Sequence, residues 1–344
     1  MHMKTVILEA SKTENITLCA DVIKGGGLIA FATETVYGLG ANALDEKAVE
    51  GIFKVKGRPF DNPLIVHVAS VDDVEPLVSS IPDVFKILAD RFMPGSLTLI
   101  MEKSNIIPDN VTAGLDTVAV RMPNHPAALA FIRAAGCPIA APSANPSGSP
   151  SPTKAIHVLS DISGKIPYIL DGGDCIVGLE STVLDISGDV PRILRPGFVT
   201  FEELNDLLEN VENPRDVLSG KTDIESIEAP KSPGIKYRHY SPKTPLTAVV
   251  GLPDDTAKYI TSRMDNDTAA LMFDDYTFSH PNVVTYGNSR DYSAQATRLF
   301  DALRTLDTLG TTAIYAQTPS ENGLGIAIAN RILKAAGENI VEVD

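Results

Sequence analysis

Short apolar runs alternate with amphipathic segments along most of this chain, and no other feature limits the fold as strongly. Residues 28–32 and 64–69 have the length and apolar content of buried strands. Residues 45–56 repeat apolar side chains at helical spacing, with Asp45 in the position of an N-cap. Because strands and helices alternate irregularly, the sequence predicts an α/β fold built on a twisted mixed sheet. The small, polar stretch 33–43 is predicted to be a loop.

A change of composition after residue 210 predicts two domains joined by a linker. The chain has 344 residues, which is more than one typical domain contains. Residues 211–245 are rich in proline, serine and charged residues without periodicity, and a βαβ rhythm begins after them. We therefore predict a first domain over 1–210, an ordered linker over 211–245 that acts as a lid, and a small, doubly wound Rossmann-like domain over 246–344.

Composition argues against several classes of protein. No apolar run reaches the roughly 18 residues that a membrane helix needs, and the run Val6–Leu8 predicts a first strand rather than a signal peptide. The three cysteines lie far apart, which favours a reducing cytoplasm and predicts neither a disulfide framework nor a zinc site. The net charge of −15 argues against non-specific binding of nucleic acid or membranes by the whole surface, but it leaves a local basic cleft open.

Three cations lie within Lys54–Arg58, at the predicted end of a helix. Gly57 and Pro59 stop that helix and Pro63 prevents its restart, so residues 58–62 must form a loop of constrained shape. Basic helix ends are often simply solvated, and the run alone does not decide between that interpretation and an anion site. Its position between a helix and a strand makes it a candidate for holding an anion.

Further polar side chains lie at predicted strand ends, where open α/β sheets bind ligands. Arg121 and Arg195 each close an apolar strand, where an arginine either reaches solvent or meets a phosphate or carboxylate. His67, half-buried in a strand, is either a structural histidine or a ligand-binding one. The candidates that share this position are Thr35, Arg58, Asn62, His67, Arg121, Ser143, Asn145, Ser181 and Arg195.

Familiar nucleotide-binding motifs are weak or missing in the sequence. Gly38–Ala43 mimics a dinucleotide fingerprint, with Asp61 about twenty residues further on, but no helix start follows its glycines. The sequence has no phosphate loop, nucleophile elbow or metal-ligand cluster, so side-chain cations and an ion such as Mg²⁺ would have to hold phosphates. The linker segment Ser232–Pro242 carries cations and two tyrosines, and we predict that it docks as a lid whose aromatic ring stacks on a base.

Four segments together resemble a known family. Lys56-Gly57-Arg58-Pro59, followed by Pro142-Ser143-Ala144-Asn145, resembles the K-x-R…S-x-N pattern of YrdC-type domains. Thr33–Leu39 resembles the first loop of that family. The segments 232–240 and 323–336 resemble the two-domain long form, the threonylcarbamoyl-AMP synthases. The resemblance covers nearly the whole chain, and four motifs in matching order and spacing are highly specific.

The resemblance implies a nucleotidyltransferase that combines L-threonine, bicarbonate and ATP into threonylcarbamoyl-AMP and pyrophosphate. The product would pass to the tRNA threonylcarbamoyl-transfer machinery, which modifies tRNAs that read ANN codons. The resemblance further implies Mg²⁺ brought by ATP, no organic cofactor and no metal held by protein side chains. Carried over by position, it implies catalytic roles for Lys56 and Arg58; L-threonine contacts for Thr35, His67, Arg121, Ser181 and the backbone of Ala141; and ATP contacts for Lys56, Arg58, Asn62, Thr117, Ser143, Asn145, Ser151, Arg195 and Tyr237.

Two other functions stay open at the level of the sequence. A nucleic-acid-binding module would bind tRNA with an affinity that falls as salt rises, without turning over ATP. A nicotinamide-dependent oxidoreductase built on Gly38 and Gly40 would be stabilised by NAD. A thermal-shift panel of ATP, L-threonine, NAD and tRNA discriminates between these functions. No motif decides whether the second domain is regulatory, a docking module or part of the catalytic unit.

Overall fold

The computed structural model describes residues 3–212 and 239–343, and these residues form two compact units. The first unit contains the described residues 3–147, 152–176 and 180–212, and the second contains 148–151, 177–179 and 239–343. Most of the predicted linker, including Tyr237, lies outside the described residues. The domain limits at 210 and 245 therefore stay a prediction.

The first unit is the mixed α/β structure that the sequence predicts. Its described residues form a ten-stranded sheet with both parallel and antiparallel neighbours. In chain order the strands are β1 (Val6–Glu9), β2 (Ile29–Phe31), β3 (Gly38–Asn42), β4 (Ile65–His67), β5 (Leu97–Glu102), β6 (Thr117–Arg121), β7 (Ile139–Ala140), β8 (Tyr168–Asp171), β9 (Thr182–Asp185) and β10 (Arg192–Arg195). Across the sheet the order is β1-β8-β2-β3-β7-β4-β6-β5-β9-β10.

Helices pack on this sheet and bury its apolar side chains. They are α1 (Thr13–Lys24), α2 (Glu46–Lys56), α3 (Asp83–Phe92), α4 (Asp109–Thr112), α5 (Pro126–Ala135), α6 (Ala155–Ile162) and α7 (Phe201–Leu208), with a 3₁₀ helix over Asp72–Leu77. α2 shows why the sequence folds this way, because Asp45 accepts hydrogen bonds from the backbone N–H groups of Lys47 and Ala48 at its start. Its apolar face, including Val49, Ile52 and Phe53, is buried in the core.

The prediction of a loop over the whole stretch 33–43 is wrong, because Gly38–Asn42 forms β3 between β2 and β7. Glycine is needed there for close packing rather than for a turn. A Cβ on Gly40 would lie 2.7 Å from Cγ2 of Ile139 and 3.0 Å from the ring of Phe31. Because Gly38 and Gly40 lie inside a strand, the structure also contradicts the dinucleotide-fingerprint interpretation, which requires a turn that leads into a helix.

The second unit has a five-stranded parallel sheet, the Rossmann-like arrangement that the βαβ rhythm predicts. The elements are β11 (Leu246–Val250), α8 (Pro253–Thr261), β12 (Thr268–Met272), β13 (Val283–Thr285), α9 (Tyr292–Leu306), β14 (Ala313–Gln317), α10 (Leu324–Ala336) and β15 (Ile340–Glu342). The sheet order is β13-β12-β14-β11-β15. Helix α8 packs through Ala257 and Ile260 against Val249, Ala270 and Met272, and α9 packs against α10.

Among the helices that the structure describes, none combines the length and the apolar content needed to cross a membrane.

Candidate active site

The carboxyl ends of β4 and β6 place His67 beside Arg121. The two strands are parallel neighbours, and their register pairs these two residues directly. Both side chains are buried, with only 4% of each residue exposed. A buried arginine needs a counter-charge or hydrogen-bond acceptors, so its partners indicate what the site is built to do.

Glu34 supplies that counter-charge from the loop between β2 and β3. Its Oε1 accepts hydrogen bonds from Arg121 Nη2 at 2.7 Å and from Ser96 Oγ at 3.0 Å. Arg121 Nε donates to the carbonyl oxygen of Gly95 at 3.2 Å. We call Glu34, His67, Ser96 and Arg121 the Arg121 cluster. It is a buried site beside one end of two strands, with Glu34 Oε1 paired and Glu34 Oε2 without a hydrogen-bond partner among the described residues.

His67 is held neutral in this cluster. Burial, reinforced by the nearby charge of Arg121 and partly offset by Glu34, lowers the pKa of His67 to about 3. Its Nδ1 lies 3.2 Å from the carbonyl oxygen of Ile65, which can only accept a hydrogen bond, so the proton of the neutral ring belongs on Nδ1. Nε2 then carries the lone pair and can accept a hydrogen bond from a ligand.

Thr35 and Ala141 are both buried beside these elements. Thr35 shares a 2.9 Å hydrogen bond between its Oγ1 and that of Thr33. The backbone N–H of Ala141 donates to Ile65, so only its carbonyl group remains as a backbone contact for a ligand. Both residues therefore occupy fixed positions, as a preformed binding site requires.

Ser181 and Arg195, predicted to contact different substrates, hydrogen-bond to each other. Arg195 donates from Nε and Nη2 to the carbonyl oxygen of Ser181 at 3.1 and 2.9 Å, and from Nη2 to its Oγ at 3.2 Å. Ser181 Oγ also lies 2.7 Å from Oγ1 of Thr98. The next residue, Thr182, donates its N–H to the carbonyl oxygen of Ser96, which connects this pair to the Arg121 cluster.

A second group of predicted residues gathers at the end of α2. Gly57 ends the helix in the left-handed conformation, with φ of 62°, and turns the chain into the 58–62 loop. Lys56 Nζ donates to the carbonyl oxygens of Ser143 and Asn145. We call Lys56, Arg58, Asn62, Ser143 and Asn145 the Lys56 cluster. The helix end thus fixes a loop that is nearly ninety residues away in sequence.

Arg58 and Asn62 form the other wall of the Lys56 cluster. Arg58 Nε and Nη2 donate to the carbonyl oxygen of Asn62 at 3.3 and 3.2 Å, and Nη2 donates to that of Pro63 at 3.0 Å. Asn62 is only 1% exposed, and neither its side-chain oxygen nor its side-chain nitrogen has a hydrogen-bond partner among the described residues. A buried amide with two unsatisfied atoms costs stability, which is typical of a ligand-binding position.

The contacts of Lys56 point to a positioning role. Burial, with the neighbouring charge of Arg58, lowers the pKa of Lys56 well below its ordinary value. Its described hydrogen bonds go to backbone carbonyls, so it holds the Ser143–Asn145 loop in place. The catalytic role that the sequence predicts for Lys56 stays a prediction.

The predicted residues do not all gather at one rim of the sheet. Thr117 begins β6 and Arg121 ends it, so the two are about 13 Å apart at the usual rise of a strand. Ser151 is buried but belongs to the second compact unit, so its grouping with the other residues stays a prediction. Tyr237 and residues 232–238 of the lid predicted around it lie outside the described residues.

Sequence reasoning missed Glu34, Ser96 and Thr98. Glu34 did carry a signal, because it is a lone carboxylate in the small, mostly uncharged stretch 33–43 directly after a buried strand. Such a position requires a cation from elsewhere in the chain. Ser96 and Thr98 flank the start of β5, and no local pattern distinguishes them from ordinary strand residues.

The described residues contain no group of three or more histidine, cysteine, aspartate or glutamate side chains arranged to hold a metal ion.

Comparisons with known proteins match both units. The Sua5–YciO–YrdC family, described as "Telomere recombination", matches residues 21–197. The family described as "Threonylcarbamoyl-AMP synthase, C-terminal domain" matches residues 199–337. Together the two families cover most of the chain.

Individual relatives match over nearly their full length. The threonylcarbamoyl-AMP synthase of Pyrococcus abyssi is 44% identical over 95% of this chain and 96% of its own. The Bacillus subtilis protein of that name is also 44% identical, over 95% and 94%. The crystal structure of P. abyssi Sua5 complexed with L-threonine superposes with a TM-score of 0.89, at 42% identity and 99% coverage of both chains.

Proposed function

This chain belongs to the Sua5–YciO–YrdC family, in the form that carries the Sua5 C-terminal domain, and on that premise we propose that it makes threonylcarbamoyl-AMP from L-threonine, bicarbonate and ATP. Two relatives that are 44% identical over nearly the whole chain carry the name of this activity. A relative of the same fold has been crystallised with L-threonine. The proposal therefore rests on both sequence and structural similarity, and the site must be consistent with it.

The observation that carries the proposal for this chain is the unsatisfied amide of Asn62 beside Arg58. A nucleotide offers acceptors to the amide nitrogen and to guanidinium groups, as well as donors to the amide oxygen. The Lys56 cluster thus has the chemistry of an ATP site. The Arg121 cluster, with a buried guanidinium and a neutral histidine, has the chemistry of a site for the carboxylate and hydroxyl of threonine.

The reaction needs orientation more than a protein nucleophile. The threonine amine and bicarbonate combine to a carbamate with loss of water. A carbamate oxygen then attacks the α-phosphorus of ATP, so that a new P–O bond forms while the bond to pyrophosphate breaks. Positioning the two reactants and neutralising charge on the phosphates accelerate such a step. The hydrogen bonds between Arg195 and Ser181 fit this mechanism, since they join a residue proposed for ATP to one proposed for threonine.

We propose that Mg²⁺ accompanies ATP. The phosphates and water would supply its oxygen ligands. The ion would neutralise phosphate charge, while Arg58 and Asn62 bind and orient the nucleotide.

The biological setting is part of the same proposal. Threonylcarbamoyl-AMP would pass to the machinery that modifies tRNAs reading ANN codons, in the cytoplasm. The net charge of −15 leaves direct binding of tRNA weak at most, and any such binding should fall as salt rises.

Pyrophosphate release tests the proposal. The purified chain should release pyrophosphate only when L-threonine, bicarbonate, ATP and Mg²⁺ are all present, and mass spectrometry should detect threonylcarbamoyl-AMP. Arg58→Ala should lower the rate about 100-fold or more, because it removes a positioned cation beside the phosphates, whereas Arg58→Lys should retain more activity. Pyrophosphate release without threonine, full activity in Arg58→Ala, or thermal stabilisation by NAD but not by ATP or threonine would contradict it.

A further inference from the structure

Glu34 is a buried carboxylate that the reaction as described does not use. Only 3% of it is exposed, and it lies between Thr33 and Thr35 in the buried loop after β2. A carboxylate in such surroundings is retained only when a cation or several donors compensate its desolvation. Its compensation comes from Arg121, which is proposed to bind the threonine carboxylate.

The contacts of Arg121 leave a defined part of its guanidinium for a ligand. Nε is bound to Gly95 and Nη2 to Glu34. Among the described residues, Nη1 has no acceptor. Glu34 and Gly95 therefore fix the plane of the guanidinium group and leave Nη1 to meet an incoming carboxylate.

The charges in the Arg121 cluster sum to zero. Burial raises the pKa of Glu34, but the charge and hydrogen bond of Arg121, together with the backbone N–H groups of Glu34 and Asn124, lower it below its ordinary value, so Glu34 is ionised. His67 is neutral because its pKa lies at about 3. Arg121 contributes the positive charge and Glu34 the negative one. A carboxylate whose pKa is lowered is a poor base, so the contribution of Glu34 is electrostatic rather than proton transfer.

We propose that Glu34 is a positioning and specificity-determining residue that makes this pocket select amino acids with no net charge. It orients Arg121 toward the α-carboxylate and cancels the positive charge that would otherwise attract dicarboxylic amino acids and small anions. A zwitterion keeps the pocket neutral when it binds, whereas an amino acid with a second carboxylate adds an unpaired buried charge. The inference rests on the proposed function, because it assigns the Arg121 cluster to the amino-acid substrate.

L-Asparagine and L-aspartate provide the test, because they have nearly the same shape and differ by one charge. Their dissociation constants are measured by displacement of L-threonine in calorimetry, without turnover. The wild-type chain should prefer asparagine over aspartate at least tenfold. Glu34→Gln keeps an acceptor for Arg121 and Ser96 but removes the charge, so it should reduce that preference to about threefold or less, with KM for threonine raised and KM for ATP unchanged.

Two further variants separate charge from structure. Glu34→Asp keeps the charge on a shorter side chain and should retain the preference even if threonine affinity falls. Ser96→Ala removes a hydrogen bond to the same oxygen without changing charge, and it should also retain the preference. A merely structural role for Glu34 would weaken both ligands equally in Glu34→Gln and leave their ratio unchanged, which would overturn the inference.

The wild-type measurement decides the matter if Glu34→Gln does not fold. Equal affinities for asparagine and aspartate in the wild-type chain would overturn the inference on their own. Failure of the proposed function looks different, since the wild-type chain would then neither bind L-threonine nor release pyrophosphate. If the chain makes threonylcarbamoyl-AMP but does not prefer asparagine over aspartate, the inference about Glu34 is overturned while the proposed function stands.

Discussion

At the scale of single residues, the buried amide group of Asn62 lowers the stability of the ligand-free protein. A role in binding a ligand explains why the chain has such a group there. Both polar atoms of that amide lack partners among the described residues. Asn62→Leu keeps the number and branching of the side-chain heavy atoms and removes the polar ones, so it should raise the stability of the ligand-free protein by about 1–3 kcal/mol. The same variant should lose the stabilisation that ATP gives the wild-type chain. Urea unfolding with and without ATP measures both effects.

The opposite signs of those two effects make the Asn62 prediction specific. A purely structural asparagine would lose stability on substitution and leave ATP-induced stabilisation intact, and that pair of results would contradict an ATP contact. Arg58→Ala offers a matched comparison, because it should also weaken ATP binding but should not stabilise the ligand-free protein. Its guanidinium holds the carbonyl oxygens of Asn62 and Pro63.

His67 makes stability depend on pH in a predictable direction. Its folded pKa of about 3 lies below the ordinary value of 6.5, so the native state binds fewer protons than the unfolded state between these values. Stability from this group is present above pH 6.5 and is lost as the pH falls toward 3. The loss from pH 7 to pH 5 should be about 2 kcal/mol.

Urea midpoints at pH 7 and pH 5 test this prediction in the wild-type chain and in His67→Gln. The glutamine variant should lose less stability between the two pH values, because it has no proton to gain on unfolding at this position. An identical pH dependence in both proteins would show that His67 is not held neutral by burial and by Arg121.

Contacts between residues that lie far apart in the sequence limited what the sequence could predict about single residues. The pattern around Lys54–Arg58 correctly indicated a helix end followed by a constrained loop. It could not show that Lys56 turns inward to the carbonyl groups of Ser143 and Asn145, because those residues come from a distant loop. The pairing of Glu34 with Arg121 joins residues 87 positions apart, and only the tertiary fold brings them together.

At the scale of elements, α2 and its C-terminal glycine set the direction of the Arg58 loop. Gly57 has φ of 62°, and a Cβ added there would meet nothing within 4 Å. Gly57→Ala should therefore destabilise the protein by about 1 kcal/mol through backbone conformation alone. Because relief of that strain would move Arg58, KM for ATP should also rise.

Gly57→Asn is the matched control, because asparagine tolerates the left-handed conformation better than alanine does. It should restore most of the lost stability and most of the ATP affinity, as judged from urea midpoints and from pyrophosphate release at varied ATP. Equal effects of alanine and asparagine would show that the conformation of residue 57 does not control the loop.

The sequence predicted elements that have their own capping residue and apolar periodicity, such as α2. It did not predict β3, which depends on packing against residues elsewhere in the chain. α2, with its Asp45 cap and apolar stripe, lies where the sequence places it. β3 was missed because glycine disfavours strands in general and is accepted here for its close approach to Ile139 and Phe31.

At the scale of the whole molecule, the second unit includes two short segments from the first part of the chain, 148–151 and 177–179. The backbone N–H of Ser241 donates to the carbonyl oxygen of Gly148 at 2.8 Å. A Cβ on Gly178 would lie 2.4 Å from Cα of Thr297, so only glycine fits there. These contacts join residues roughly 90 or more positions apart, and no periodicity or composition of the sequence could have predicted them.

Arg304 on α9 holds the first of these segments in place within the second unit. It donates from Nη2 to the carbonyl oxygen of Pro150 at 2.6 Å, next to Ser151. If Ser151 contacts ATP, Arg304→Ala should raise KM for ATP by up to about tenfold, the equivalent of one charge-assisted hydrogen bond. KM for L-threonine should stay unchanged.

Arg298→Ala on the same helix is the control, because Arg298 pairs at the surface with Asp274 and should leave both constants unaltered. Unchanged KM for ATP in Arg304→Ala would show that Arg304 does not hold Ser151 in place for the nucleotide.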